Sequence, residues 1–239
     1  MLGRICCALL FLLLSCFRSG AEPCVQSELL APSTASITRY FDDAERTTPD
    51  LVGIQGTGWF KSPTTLVTVE HVATAMGLSS QSWKLLTIQS GADSRSTLVR
   101  IQRLTGGHGE KLAVIELQDP VSEARSLAIR RSPLAPEDRV ATLAYPNQRP
   151  RYVGGRFVQY VDDGKLAGYA LFEMYDGDDR LAIDHGASGA PVFDCEGRVA
   201  AVISTVITGI FRTPFGDKRV STAWGNPNVV SVPVRELMD

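Results

Sequence analysis

From Leu51 onward, short apolar runs alternate with turn-forming residues. "LVGIQGTGWF", "TTLVTVE", "WKLLTIQS", "STLVRIQRL", "LAVIELQ", "RVATLAY", "YVGGRFVQYV", "GYALFEMY", "GAPVFD", "RVAAVIST" and "NVVSVPV" follow one another along the chain. Each is rich in β-branched or aromatic residues and bounded by Gly, Pro, Asp or Asn, which is how strands are punctuated. Helical periodicity is scarce, and "VREL" (234–237) predicts one short helix near the end. About a dozen short strands predict an all-β sandwich or barrels. The polar, proline-containing stretch "SEARSLAIRRSPLAPEDR" (122–139) divides the strands into two similar sets and predicts a linker. The first set spans residues 49–120 and the second 135–233. Residues 22–48, with Pro32, Ser33, Thr34 and Ser36, read as a surface tail ahead of the 49–239 domain.

The first residues follow another logic. "MLGR" is a short basic start, "ICCALLFLLL" is a run of ten apolar residues, and Ser19-Gly20-Ala21 offers small residues for a signal peptidase. Such a run is too short to cross roughly 30 Å of hydrocarbon as a retained helix. Residues 1–21 therefore predict a signal peptide, a secreted or periplasmic location, and no integral membrane segment after cleavage. A lipobox-like "LLSC" leaves a lipoprotein anchored at Cys16 as the alternative. Cleavage after Ala21 removes Cys6, Cys7 and Cys16, leaving Cys24 and Cys195 either as a disulfide pair or as two thiols. A hydrophobic content of 44% and a net charge of -2 suit a soluble globular protein and give no reason to expect nucleic acid. No His/Cys/Asp/Glu set has metal-ligand spacing, so neither a metal nor another cofactor is expected.

Two motifs carry the chemistry. His71 stands at the end of "GTGWFKSPTTLVTVEHVATA", where an apolar strand gives way to small residues at a barrel rim. Far downstream, "HGASGAPVFDCEGRVAAVIS" presents Ser188 among small residues before a strand. A serine hydroxyl is a poor nucleophile unless an imidazole takes its proton during attack, and the resulting oxyanion needs backbone N–H donors. In order and separation, the paired motifs resemble the chymotrypsin/trypsin serine protease superfamily, especially its bacterial exported branch. The resemblance covers roughly residues 50–235, with "LAVIEL" (112–117) matching the strand between the motifs. An α/β-hydrolase elbow is excluded because its histidine follows the serine, and no histidine follows Ser188.

The resemblance implies two six-stranded antiparallel β-barrels of the chymotrypsin type, with a cleft between them that takes a peptide or protein substrate. It implies His71 as base, Ser188 as nucleophile, and the backbone N–H groups of Gly186 and Ser188 as the oxyanion hole. It places Ala182 at the base of the specificity pocket, His185 at its mouth, and Ser204, Thr205 and Val206 along its wall. With no carboxylate at 182 and a branched residue at 206, cleavage is expected after small or medium aliphatic residues. Ala187 stands where trypsin-like zymogens carry the Asp that pairs with a freed N-terminus, so activation by that route is not expected. The family's Asp before "LAV" is here Lys111, preceded by Glu110; Glu70 precedes the histidine, and Ala190 replaces a glycine. A bulge at the strand entrance would turn Glu110 inward as the third catalytic group. A Ser–His dyad is one alternative, and an inactive homologue that binds peptides or proteins in the same cleft is another. The oligomeric state is left open. "TGGHGEK" (His108) reads as a hairpin end, and "YDGDDR" (175–180) as an exposed turn rather than a calcium loop.

Overall fold

The computed structural model describes residues 24–106, 110–162, 167–175, 187–204, 208–214, 216–221 and 228–237. One helical turn, α1 (Ser27–Leu30), precedes β1 (Thr34–Tyr40), β2 (Leu51–Ser62) and β3 (Thr65–Val69). A short helix, α2 (Glu70–Ala75), leads to β4 (Lys84–Ser90), β5 (Asp93–Thr105) and β6 (Leu112–Leu117). The second half holds β7 (Arg139–Ala144), β8 (Arg151–Tyr160), β9 (Ala170–Tyr175), β10 (Pro191–Asp194) and β11 (Val199–Ile203). It continues with β12 (Thr208–Thr213), β13 (Gly216–Ser221) and β14 (Asn228–Pro233). The expected C-terminal helix is a single 3-10 turn, Val234–Leu237.

These strands close into two antiparallel six-stranded barrels. The first runs β1-β4-β5-β6-β3-β2 and closes through the β1–β2 pairing; the second runs β10-β11-β14-β9-β8-β7. Strand alternation explains why the second-half strands read as nearly continuous apolar runs. Val140, Ala144, Val192, Ala201, Ile203 and Val229 fill the second barrel. Their neighbours Leu143, Tyr145, Phe193, Val202 and Val232 face the other way and join the core of Trp59, Phe60, Leu66 and Ile115 in the first barrel. Successive side chains of a strand point to opposite faces, so one run serves two buried surfaces. The interface between the barrels is thus an extension of the first core.

The structure corrects the reading of residues 22–48 as a surface tail. Residues 34–40 form β1, buried except at its last residue and paired with both β2 and β4. The hydroxyls of "TASITRY" made it look like a loop, yet Thr34, Ser36 and Thr38 are all buried. Ahead of β1, Leu30 enters the first core, and Cys24 is disulfide-bonded to Cys195, 171 residues away in the β10–β11 turn. The N-terminal segment therefore spans both barrels. The expected linker is pinned on both sides as well. Leu127 donates its N–H to Phe60 O (3.2 Å), and Arg130 donates to Val199 O (2.8 Å). The β12–β13 hairpin was not foreseen, and it leaves the second barrel to pair with β2 through Thr208↔Gln55 to Phe211↔Leu51.

A buried arginine ties β1 to the far end of α2. Arg39 donates to Met76 O at 2.8 Å, satisfying a carbonyl just beyond the helix, and to both Glu45 oxygens at 2.5 Å. Lys84 completes the cluster at 2.6 Å from Glu45. Lys84 first and Arg39 second hold the Glu45 carboxyl at about 2, below an ordinary 4.5. A carboxyl held down in the folded state stabilises the fold at pH above its unfolded value, and that contribution fades as pH falls through the folded value. Glu45→Gln should therefore melt below wild type near neutral pH, with the gap shrinking between about pH 4.5 and 2. Thermal melts across that window check this, and a gap independent of pH would overturn it.

Candidate active site

β3 delivers the chain directly into α2, so His71 occupies the first turn of a helix rather than the tip of a strand. Val69 precedes the helix in extended conformation and supplies no side-chain cap. The backbone N–H groups of that turn need other partners. Glu70 donates its N–H to Lys111 O (2.8 Å), and His71 donates its N–H to Glu110 Oε1 (3.0 Å). The same Oε1 takes the His71 Nδ1 hydrogen bond, and Glu110 Oε2 accepts the Ser204 hydroxyl. Glu110 is thus the carboxylate on the imidazole. The Glu70 carboxylate goes instead to the Lys111 backbone N–H at 3.4 Å.

No bulge at the β6 entrance is needed to bring Glu110 inward. β6 starts at Leu112, paired with Val69 and Thr105, and Glu110 sits in the bend before it. A residue outside the ladder is free of strand alternation, so residue 111 does not dictate where residue 110 points. The register shift of this hairpin lies on β5, between Ile101 and Arg103. The Glu110 side chain is 12% exposed. Burial pushes it up, but the hydrogen bond and charge of His71, with the Ser204 hydroxyl and the His71 N–H, outweigh burial and leave it below the usual value. An ionised carboxylate only accepts hydrogen bonds, so Nδ1 is the donor to Glu110 and Nε2 is the nitrogen left to exchange a proton. That Nε2 is buried and has no hydrogen-bond partner among the described residues.

Ser188 lies in a fully buried tight turn, with Ala190 donating its N–H to Ala187 O at 2.9 Å. Two contacts fix this turn, the first across the barrel interface and the second within the second barrel. Thr57 on β2 donates its N–H to Ser188 O (2.9 Å), and Gly189 donates to Ile203 O (2.8 Å). Gly189 has φ +92, and a Cβ there would lie 1.9 Å from Thr57 O and 2.2 Å from Thr68 Oγ1. No larger residue fits either the backbone conformation or the space. Thr68 steadies the same carbonyl by donating its hydroxyl to Thr57 O at 2.8 Å. Opposite, a Cβ on Gly56 would meet Val72 Cγ1 at 2.7 Å and the Ser188 carbonyl oxygen at 3.4 Å. The helix carrying His71 and the turn carrying Ser188 converge over that one glycine.

Of the other expected site residues, Ser204 lies where its hydroxyl braces Glu110. Gly186, Ala182, His185, Thr205 and Val206 lie outside the described residues, as do the signal segment, His108 and 176–180 of the acidic turn. Sequence reasoning missed Thr57, Thr68 and Tyr169, whose hydroxyl accepts the Glu110 backbone N–H at 2.9 Å. Thr57 and Thr68 sit inside the first motif but carry no chemical signal of their own, and Tyr169 lies outside both motifs, 59 residues from its partner. Among the described residues there is no cluster able to hold a metal ion, and no helix is long and apolar enough to cross a membrane. A cavity of about 480 Å³ lined by Gly106, Glu110, Tyr160 and Arg235 flanks the site, while one of about 560 Å³ by Pro32, Asp93 and Arg95 lies elsewhere on the first barrel.

Solved structures with this fold include the protease Rv3671c from M. tuberculosis. Its active form is 14% identical with a TM-score of 0.60, over 89% of this chain and 80% of that one. The inactive form of a serine-to-alanine mutant of the same protease is 14% identical with a TM-score of 0.57, over 89% and 86%. The HtrA-type protease AlgW, with a tripeptide, is 14% identical with a TM-score of 0.56, over 87% of this chain and 58% of that one. No curated protein matches the sequence significantly. Residues 56–202, which contain His71, Glu110 and Ser188, match the trypsin-like peptidase domain family. The chain belongs to that family and is a trypsin-like serine endopeptidase.

Proposed function

We propose that the chain is a catalytically active, exported endopeptidase whose triad is Ser188, His71 and Glu110. The observation that carries this is the Glu110 carboxylate on His71 Nδ1, which leaves Nε2 as the basic nitrogen. In the proposed mechanism Nε2 removes the Ser188 hydroxyl proton as Oγ attacks the scissile carbonyl. Glu110 keeps the imidazolium in place without taking the proton itself. The oxyanion is met by the N–H groups of Gly186 and Ser188. The imidazolium returns its proton to the leaving amine, and water, activated by the same base, hydrolyses the acyl-serine. Ser204 braces the carboxylate from the second barrel, so the unit depends on both barrels.

Ser188→Ala and His71→Ala should each abolish peptidase activity and covalent labelling by a fluorophosphonate, with little change in melting temperature. Glu110→Gln should slow the reaction by about a hundredfold or more, because the imidazole loses both its orientation and its counter-charge. Lys111→Ala should retain activity. Labelling rates of the purified mature protein check all four. Ser188→Ala hydrolysis within tenfold of wild type would overturn the assignment, and wild-type rates in Glu110→Gln would leave a dyad. A folded wild type that never labels would indicate the inactive homologue.

For specificity, Ala182 and Val206 support cleavage after small or medium aliphatic residues. A peptide-library profile is expected to show it, and dominance of Arg, Lys, Phe or Tyr at the cleaved position would refute it.

Export is supported by the "ICCALLFLLL…SGA" pattern and by the Cys24–Cys195 disulfide, a bond that persists in oxidising compartments. Intact mass of protein recovered from the producing cell should show a chain beginning at Glu22. A diacylglyceryl-modified chain beginning at Cys16 would establish the lipoprotein instead.

A further inference from the structure

We propose that Tyr169 is a positioning residue for catalysis, holding the backbone of Glu110 so that its carboxylate stays on His71. This rests on Glu110 being the triad acid, and it follows from where Glu110 lies. A carboxylate within β6 would have its backbone fixed by the ladder, whose first paired residue is Leu112. Glu110 precedes the ladder, after a stretch that reads Gly106-Gly107-His108-Gly109. Gly106 has φ +141, a conformation that larger side chains resist, and glycine-rich backbone has the most conformational freedom to lose. The N–H of Glu110 donates to the Tyr169 hydroxyl at 2.9 Å, 59 residues away and on the other barrel.

Tyr169 is itself rigidly placed. Val161 donates its N–H to Tyr169 O at 2.8 Å, and Gly168 donates to Val161 O at 2.8 Å, fixing the stem of the β8–β9 hairpin. The ring is partly buried against the apolar core shared by the barrels. Burial pushes the phenol up, with the nearby Glu110 and Glu70 charges adding to this against the opposing Glu110 N–H, so it stays neutral at physiological pH. A neutral phenol both accepts the Glu110 N–H and keeps an O–H of its own. The second barrel therefore holds the acid at two points, Ser204 on the carboxylate and Tyr169 on the backbone. Lys111 anchors the C-terminal side of the bend to Glu70, and Tyr169 is the contact that holds the Glu110 N–H itself; without it the peptide on that side of Glu110 is free to turn and the Nδ1 hydrogen bond to lengthen.

The test uses the full mature chain, a fluorophosphonate, and the variants Tyr169→Phe, Glu110→Gln and their double mutant. Phenylalanine keeps the ring in the core and removes only the hydroxyl, with it the acceptor for the Glu110 N–H. Saturation kinetics of Ser188 labelling separate the limiting rate, kinact, from the half-saturation constant, KI. Tyr169→Phe should lower kinact about tenfold, the equivalent of one hydrogen bond, and leave KI unchanged. The double mutant should label no more slowly than Glu110→Gln alone, since a residue acting through Glu110 has nothing left to act on. The downfield Nδ1–H proton resonance of His71 should shift or broaden in Tyr169→Phe. A slow Glu110→Gln beside an unchanged Tyr169→Phe, or losses that multiply in the double mutant, overturns the role of Tyr169 while the triad stands. A fully active Glu110→Gln overturns both.

Discussion

The hydrogen bond from the Thr57 N–H to the Ser188 carbonyl at 2.9 Å is the joint on which the two barrels meet. It depends on Gly189 lacking a side chain, since a Cβ there would lie 1.9 Å from Thr57 O across the interface, while a Cβ on Gly56 would meet Val72 of its own barrel at 2.7 Å. Everything chemical is referenced to this contact. Thr57 lies on the strand that leads through a short turn into β3 and α2, so the strand touching the nucleophile also aims the helix that carries the base. The Thr68 hydroxyl on the Thr57 carbonyl and the Tyr145 N–H on Thr57 Oγ1 at 3.1 Å fix the joint from both sides. Close approach of backbone to backbone gives a positional precision that flexible side chains could not.

The energetics of the interface follow from strand alternation. Because β7, β10, β11 and β14 each bury both faces, the contact between barrels resembles interior rather than docked surface. Burial of that kind contributes about 25 cal/mol per Å² of apolar area, which favours one fixed mutual placement. The disulfide adds to it by tying Cys24 to Cys195 over a separation of 171 residues. In the chain-entropy picture a loop of that length is worth about 5 kcal/mol at most. The pairing of β12 with β2 is a third tie between the halves.

Most strands were legible because their apolar runs and Gly/Pro boundaries are local signals. β1 was not, since Thr34, Ser36 and Thr38 are hydroxyl residues buried in a strand that needs both neighbours to form. His71 and Ser188 stood out as members of spaced motifs. Glu110 was visible only as the nearest carboxylate to a displaced position, and the expected means of turning it inward, a bulge, proved unnecessary because β6 starts two residues later. Ser204 was read as pocket wall, and its hydroxyl in addition serves the acid, a role its sequence position did not signal. Tyr169 gave no signal at all. Its importance lies in one hydrogen bond to a residue 59 positions away, and such pairings are decided by tertiary placement, not by local pattern.

The division of the site between barrels bears on how such a chain is made. Synthesis completes β1 to β6, with His71 and Glu110, while Tyr169, Ser188 and Ser204 have yet to emerge. A half-made chain holds an imidazole without a nucleophile, a carboxylate without its two braces, and a first core still lacking Leu143, Tyr145, Phe193, Val202 and Val232. Proteolytic competence in the proposed mechanism is therefore a property of the finished molecule alone. A nascent chain that ends before Ser188 has no nucleophile with which to cut its neighbours.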